Sequence, residues 1–387
     1  MKIAVFATRF PYPLEKGDKL RLYHQIAELS KWHEIHLFAL CETIPTQEEI
    51  SELSQFTSSL KYYHLGKSWK YFNAIIGIFK FWPMQCSIFY SSSIHKSFRE
   101  DVKKLRPDVV YFQLVRSSLY SGGMSFPKVL DYMDAFGVSM EKRGKIEKFP
   151  SSVLYKIESK LMKRYEKKVY KDFVAHTVIT QEDARQLSLS KNDCVIVPNG
   201  IDLNYFIPNE TTSKEYDLCF VGNMSYLPNI EAAEYLATEI LPLFLSKNIH
   251  VKLLIAGAAP HKRVLKLKSE NVVISGWMDD IREAYWKSKI FVAPIFQGTG
   301  LQNKILESMA CGIPVITTEN VNKGIEARPD TEILIANSAE IFFEKIVHLL
   351  EYPQNNLAQN ALNMVQTRFS WEKCTKILSE VFENIEK

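Results

Sequence analysis

Residues 297–318 read QGTGLQNKILESMACGIPVITT. Gly298 and Gly300 permit close backbone approach in a loop. A helix is predicted from about Asn303, and its start offers free N–H groups and a positive dipole end to an anion. Lys304 falls in the first turn, where a cation is unfavourable unless an anion is close by. That placement speaks for phosphate. Glu307 comes one turn later, where a carboxylate can accept two ribose hydroxyls while a diphosphate sits on the helix start. Gly312-Ile313-Pro314 ends the helix, and Val315–Thr317 begins a strand. A glycine turn ahead of an ordinary helix is the purely structural alternative for the same pattern.

Working outward, both halves of the chain open alike. Residues 2–7 (KIAVFA) and 217–222 (DLCFVG) are short apolar runs suited to buried parallel strands. Each leads through a loop into an amphipathic helix, from Asp18 to Lys31 in the first half and from Asn229 in the second. Further strands are predicted at Glu34–Leu40, Val109–Phe112, Lys128–Tyr132, His176–Ile179, Val195–Val197, Val251–Ala256, Val272–Ser275, Ile290–Ala293 and Val315–Thr317. Strands alternating with helices argue for two doubly wound, Rossmann-like α/β domains. The polar stretch Pro208–Ser213 reads as the linker, which sets the domains at 1–207 and 208–370.

Composition limits the function classes. The 387 residues carry 46% hydrophobic and 24% charged side chains and a net charge of +4, an ordinary globular balance. No apolar run approaches the ~20 residues of a spanning helix. The amino terminus lacks the features of a signal peptide. Six scattered cysteines, with no CxxC pair, read as buried thiols in a reducing compartment. The expected location is the cytoplasm, with peripheral attachment to the inner face of the membrane as an option.

Charge is unevenly placed. Leu53 to Arg99 contains no Asp or Glu, yet holds Lys61, Lys67, Lys70, Lys80, Lys96 and Arg99 among Trp69, Tyr71, Phe72, Phe79, Phe81, Trp82, Phe89 and Tyr90. Residues 141–171 hold 11 Lys or Arg against 4 Glu. An anionic membrane surface suits both zones, lysines attracting headgroups and aromatic rings entering the boundary. In the second zone Leu154, Ile157, Leu161, Tyr165 and Val169 form an inward stripe, so the basic face is expected outward. Solvated faces over core aromatics would give the same composition. No nucleic-acid module accompanies the zones, and nucleic acid is not an expected partner.

The motifs resemble glycosyltransferase family 4, the retaining, nucleotide-sugar-dependent GT-B group of bacterial surface-polysaccharide pathways. Gly300-Leu301 through Leu306-Glu307-Ser308-Met309-Ala310-Cys311-Gly312-Ile313-Pro314-Val315 is similar to the family's glycine loop and LEAMACGxPV helix. Val197-Pro198-Asn199-Gly200-Ile201-Asp202 resembles its PNGID turn, Phe220-Val221-Gly222 opens the second domain, and Ser275-Gly276-Trp277 with Asp279-Asp280-Ile281 and Val292-Ala293-Pro294 resembles a further stretch. Phe369-Ser370-Trp371 begins a terminal helix, 371–387, which in this fold crosses back to the first domain.

The resemblance implies two domains facing a cleft, with the nucleotide diphosphate sugar held by the second and a glycan acceptor, lipid-linked in many members, by the first. Donor contacts are then expected from Gly17, Gly222, Asn223, Gly276, Trp277, Gly298, Thr299, Gly300, Leu301, Lys304 and Glu307. The family's first glutamate counts back to Thr299, and Gln297 two residues earlier is the other candidate for the sugar-facing role. The usual Arg and Lys after the second domain's first strand are replaced by Asn223-Met224-Ser225-Tyr226-Leu227-Pro228-Asn229, so diphosphate charge falls to Lys304 and helix starts. The family's His-Asp pair is replaced by Asp131-Tyr132-Met133-Asp134, and Asp134 joins Gln297 and Lys304 as a candidate catalytic group. Asp279-Asp280 lacks Asp-x-Asp spacing, so neither a cofactor nor a divalent metal is expected. A nucleotide-sugar 2-epimerase of the same fold and a catalytically silent nucleotide-sugar-binding subunit are the rival readings.

Overall fold

The computed structural model describes residues 1–187, 194–209, 211–297, 300–352 and 355–385, with the side chains of 67, 68, 70, 71, 78 and 355 outside the description. The chain divides into two compact units, Met1–Pro198 with Cys374–Lys387, and Asn199–Lys373.

In unit 1 the strands are β1 (Lys2–Ala7), β2 (Glu34–Cys41), β3 (Ser59–His64), β4 (Val109–Gln113), β5 (Lys128–Met133), β6 (Ala175–Val178) and β7 (Val195–Ile196). They form one sheet in the order β3-β2-β1-β4-β5-β6-β7, with every pairing parallel. Burial explains the central strands: Ile3 to Ala7 and Val109 to Phe112 are sealed on both faces, as unbroken apolar runs in a parallel sheet should be. β3 was not anticipated. Its sequence, SLKYYH, buries only Tyr63 fully, because it lies at the sheet edge and needs no apolar run.

Unit 2 repeats the plan with β8 (Tyr216–Val221), β9 (Leu253–Ala256), β10 (Val272–Gly276), β11 (Ser288–Ala293), β12 (Val315–Thr317) and β13 (Leu334–Ile335), ordered β10-β9-β8-β11-β12-β13 and again parallel. The two-residue β13 is too short to show in a sequence pattern. In each sheet the order reverses beside the first strand, and the crevice at the carboxyl ends there is the expected ligand position of such folds. The doubly wound GT-B expectation is met in each unit.

The division between units falls between Pro198 and Asn199, ahead of the linker read at 208–213. Residues 199–208 pack within unit 2: Ile201 pairs with Ser370, Gly200 lies against Trp371, and Trp286 Nε1 donates to the Ile207 carbonyl. The terminal helix Trp371–Glu383 returns to unit 1, where Leu378, Val381 and Phe382 join the core beneath β1 and β4.

One predicted face holds only in its second half, where Tyr165 and Val169 are buried. The Ser151–Val169 helix buries Glu158, Ser159, Met162, Tyr165, Glu166 and Val169, whereas Leu154 and Ile157 are half exposed. Two carboxylates set this register. Glu158 accepts the Met84 and Gln85 N–H groups at 2.9 Å each, and Glu166 accepts the Gly137 N–H at 3.0 Å. A buried carboxylate without such partners would be costly, so the helix turns them inward and leaves the two aliphatic side chains outside.

Candidate functional site

The unit 2 candidates gather at the carboxyl ends of its strands. Gly222 follows β8, and Gly257 follows β9 with φ of +131°. A Cβ on Gly257 would stand 1.9 Å from the Gly222 carbonyl oxygen, so the two strand ends approach as only glycine allows. Asn223 shapes the next turn, its Oδ1 accepting the Ser225 N–H at 3.0 Å. Gly276 ends β10, its carbonyl accepting the Gly257 N–H at 2.9 Å. Trp277 is 73% exposed and donates from Nε1 to Asp279.

The Asn303–Ala310 helix enters this crevice. Its N-cap, Gln302, makes no side-chain capping bond, and its first turn holds no acid. The starting N–H groups therefore keep their capacity for an anion. The Asn303 Oδ1 is buried without a hydrogen-bond partner among the described residues. Lys304 folds back so that Nζ bonds Asn229 Oδ1 and sits 5.0 Å above the Phe220 ring, near the Gly222 backbone. It has no ion-pair partner among the described residues. Burial lowers its pKa to about 8, and the nearby Glu307 acts in the opposite direction.

Glu307 is itself held, its Oε2 accepting the Tyr285 hydroxyl at 2.8 Å, and burial raises its pKa. The sequence reading left both carboxylate oxygens free for a ribose. The structure commits Oε2 to Tyr285, which points the carboxylate. Gly300 and Leu301 precede the helix and are half buried, with Gly300 at φ +84°. Gln297 is exposed, while Gly298 and Thr299 lie outside the described residues.

Unit 1 carries a second constellation that the sequence reading saw only in part. Gly17 begins the Gly17–Leu29 helix after the β1 loop. Asp131 is no site residue: its carboxylate is sealed against Arg21 Nε at 2.8 Å, Tyr111 at 3.0 Å and Thr177 at 2.9 Å. Asp134 differs. Its Oδ1 is buried without a partner among the described residues, and burial, reinforced by Asp183, pushes its pKa up to about 7.

Arg116 pulls that pKa the other way. It stands just past β4, its guanidinium 5.1 Å from the Phe89 ring and 5.2 Å from the Phe136 ring, with Nε buried and unpartnered among the described residues. Burial and the Arg9 charge lower its own pKa to about 10. Asp18 accepts Arg9 at 2.5 Å and lies 3.5 Å from Arg116. Leu114, which follows β4, and Met133, which closes β5, both hold positive φ, +68° and +63°. For side chains of this size such backbone is strained. The strain aims the segments that carry Arg116 and Asp134. An arginine directly after a buried apolar strand was the available signal for Arg116.

Beside this cluster, at the ends of β1 and β2, a cavity of about 390 Å³ is lined by Arg9, Tyr12, Lys16, Lys19, Glu42 and Phe89, among others. No group of three or more His, Cys, Asp or Glu side chains among the described residues is placed to hold a metal ion.

Residues 215–352 match the family model of Glycosyl transferases group 1. An uncharacterized 44.6 kDa protein in the cps region of Klebsiella pneumoniae is 25% identical, with 99% of each chain covered. Among solved structures, sucrose-phosphate synthase of Thermosynechococcus elongatus superposes with a TM-score of 0.68 at 14% identity, covering 100% of this chain and 99% of its own. HepE of Anabaena in complex with UDP gives 0.65 at 14%, covering 99% of this chain and 100% of its own. These likenesses, together with the parallel sheets of 7 and 6 strands, give this chain the GT-B fold and a resemblance to glycosyltransferase family 4, with residues 215–352 of its second unit matching the Glycosyl transferases group 1 model.

Proposed function

We propose that this chain transfers a glycosyl group from a nucleotide diphosphate sugar to a lipid-linked glycan acceptor, retaining the anomeric configuration and using no divalent metal. The observation that carries the donor half is Lys304, a half-buried ammonium with no carboxylate partner among the described residues, beside an uncapped helix start. An anionic diphosphate supplies the missing charge. Glu307, oriented by Tyr285, accepts the ribose hydroxyls one turn further on.

During transfer the bond from C1 of the sugar to the diphosphate oxygen breaks, and an acceptor hydroxyl oxygen bonds to C1. Lys304 and the helix N–H groups stabilise the charge growing on the departing diphosphate. The hydroxyl proton passes to a departing phosphate oxygen. Asp134, raised to about 7, holds the acceptor hydroxyl in line, and Gln297 is the candidate contact to the donor sugar. The unit 1 cavity takes the acceptor glycan, its Tyr12 and Phe89 offering ring faces and its Arg9, Lys16 and Lys19 offering donors. HepE and its bound UDP support the nucleotide reading by fold.

The test is nucleotide release from a panel of UDP-, GDP- and ADP-sugars, with and without glycan acceptor, followed by product analysis. Acceptor-dependent release with a new glycosidic bond supports transfer. An epimerised free sugar identifies the epimerase, and nucleotide binding without turnover identifies a silent subunit. Either result overturns the proposal.

A further inference from the structure

Unit 1 exposes a group of large apolar side chains that no part of the donor site explains. On the Lys67–Phe79 helix, Trp69, Phe72, Ile75 and Phe79 follow one another at spacings of three and four, and all are exposed. Residues three and four apart share a helix face, so this helix turns an apolar face outward. Phe81 continues it, and Phe79 and Phe81 are each 80% exposed.

A second exposed set, Ile146, Phe149, Val153, Leu154 and Ile157, runs from the end of the Phe136–Ile146 helix through the turn into the first two turns of the Ser151–Val169 helix packed against it. Phe149 is 83% exposed. The segments that carry the two sets are tied together where Glu158, next to Ile157, accepts the N–H groups of Met84 and Gln85, a few residues past Phe81. Both exposed sets therefore belong to segments of unit 1 that are tied to each other, and exposed apolar patches mark interaction sites.

Charge identifies what covers them. The segment from Leu53 to Arg99 contains no acidic residue. Along the outer face of the Ser151–Val169 helix run Lys156, Lys160, Arg164, Lys167 and Lys168, all exposed. A second copy of the chain would bring the same positive charge against itself. An anionic bilayer complements the charge and receives the rings at its headgroup boundary. The position fits as well: Leu65 and Phe89, which both line the unit 1 cavity, bracket in sequence the segment bearing the first apolar set.

We infer that the apolar face of the Lys67–Phe79 helix and the exposed side chains of the 146–157 segment insert together into an anionic membrane, bringing the lipid-linked acceptor's head to the unit 1 cavity. This rests on the lipid-linked acceptor reading above. It also changes which residues do the work. Trp82, expected to insert, packs on Tyr90 under Lys80 and is only half exposed. Lys163 is engaged by Glu141, leaving Lys160, Lys167 and Lys168 as the free basic row.

Vesicles of equimolar phosphatidylcholine and phosphatidylglycerol test this by cosedimentation and by tryptophan quenching with brominated acyl chains. Wild type should sediment at low salt and show quenching that Trp69→Phe removes. Phe72→Asp with Phe79→Asp, and separately Phe149→Asp with Leu154→Asp, should each lower vesicle partition about tenfold or more. Lys160→Glu with Lys167→Glu and Lys168→Glu should do so at low salt only, because salt screens exposed charge. All three should keep wild-type thermal stability and free-nucleotide affinity, since the altered side chains are exposed and lie outside the donor unit.

Wild type left in the supernatant overturns the inference. So does equal sedimentation of the apolar variants, or a concentration-dependent dimer that those variants abolish. Normal turnover on a soluble acceptor without vesicle binding overturns this inference alone. Vesicle binding without any nucleotide binding overturns the transfer reading and leaves the membrane surface standing.

Discussion

The two units share a fold plan but build their sites differently. In unit 2 the donor machinery is concentrated in one helix: Lys304 and Glu307 lie one turn apart, with Phe220, Gly222, Asn229 and Tyr285 brought in from elsewhere. In unit 1, Arg9, Arg116 and Asp134 follow the ends of three different strands, and Asp18 comes from the first turn of the Gly17–Leu29 helix. A site written on one helix is a motif, and helical geometry alone fixes its spacing. A site assembled from strand ends exists only once the sheet order β1-β4-β5 places those ends side by side. The same contrast separates the energetics. Unit 2 keeps Lys304 half-buried with no carboxylate partner among the described residues, for a ligand to neutralise, whereas unit 1 neutralises its deepest charge internally, Arg21 on Asp131.

The largest expected effect tests that internal neutralisation. Arg21→Ala leaves Asp131 as a buried carboxylate and removes the bonds to the Val197 and Pro198 carbonyls at 2.9 and 3.2 Å. A loss of about 3–5 kcal/mol is expected, read as an early unfolding transition. An unchanged melting profile would erase the proposed contrast, because the pair would then be dispensable.

Next in size, Lys304→Ala and Glu307→Ala should each weaken free nucleotide diphosphate by ~1.5–3 kcal/mol, roughly ten- to a hundredfold, in calorimetric titration. Arg116→Ala should leave that affinity unaltered. With the Lys304 pKa near 8, wild-type affinity should also fall as pH rises above that value and the ammonium loses its proton. Equal nucleotide losses from Arg116→Ala and Lys304→Ala would break the division between donor and acceptor units.

Asp134 should give a smaller effect, with a definite sign. Its carboxyl is pushed up to about 7 by burial, so between pH ~4 and ~7 the unfolded chain is ionised while the folded chain holds the proton. The unfolded state binds fewer protons in that window, and stability falls as pH rises through it. Asp134→Asn removes the penalty. The variant should be more stable than wild type at pH 8 by on the order of 1 kcal/mol, with the gain vanishing near pH 4. Thermal denaturation across pH measures this, and transfer activity should drop in the same variant. The smallest expected effect is none: transfer should survive excess EDTA, with Lys304 and the helix start carrying the phosphate charge. Activity lost to chelator and restored by magnesium or manganese would refute that assignment.

Legibility in the sequence followed the physical cause of each feature. β1, β4, β8 and β12 were readable because double-sided burial demands an unbroken apolar run. β3 and β13 were not, since an edge strand with one buried side chain and a two-residue strand impose no such demand. The exposed Leu154 and Ile157 show the limit of reading helix faces from hydropathy. Two inward carboxylates satisfied by backbone N–H groups outweighed two aliphatic side chains, and neither acceptor role is visible without the neighbouring helices.

By itself, the sequence determined what is local: the parallel α/β character of both halves, the helix that begins at Asn303, the placing of Lys304 in its first turn and Glu307 one turn later, and the acid-free aromatic zone. Each depends on residue types at short spacing, which chain geometry converts directly into structure. The tertiary structure alone decided which charges lack partners and which apolar faces stay uncovered. Asp131 is spent on Arg21 while Asp134, three residues later, keeps an unpartnered oxygen. Phe72 and Phe79 stand in solvent while Phe98 is sealed in the core. Desolvation and pairing depend on everything packed around a group, and the residues that supply those surroundings lie far away along the chain.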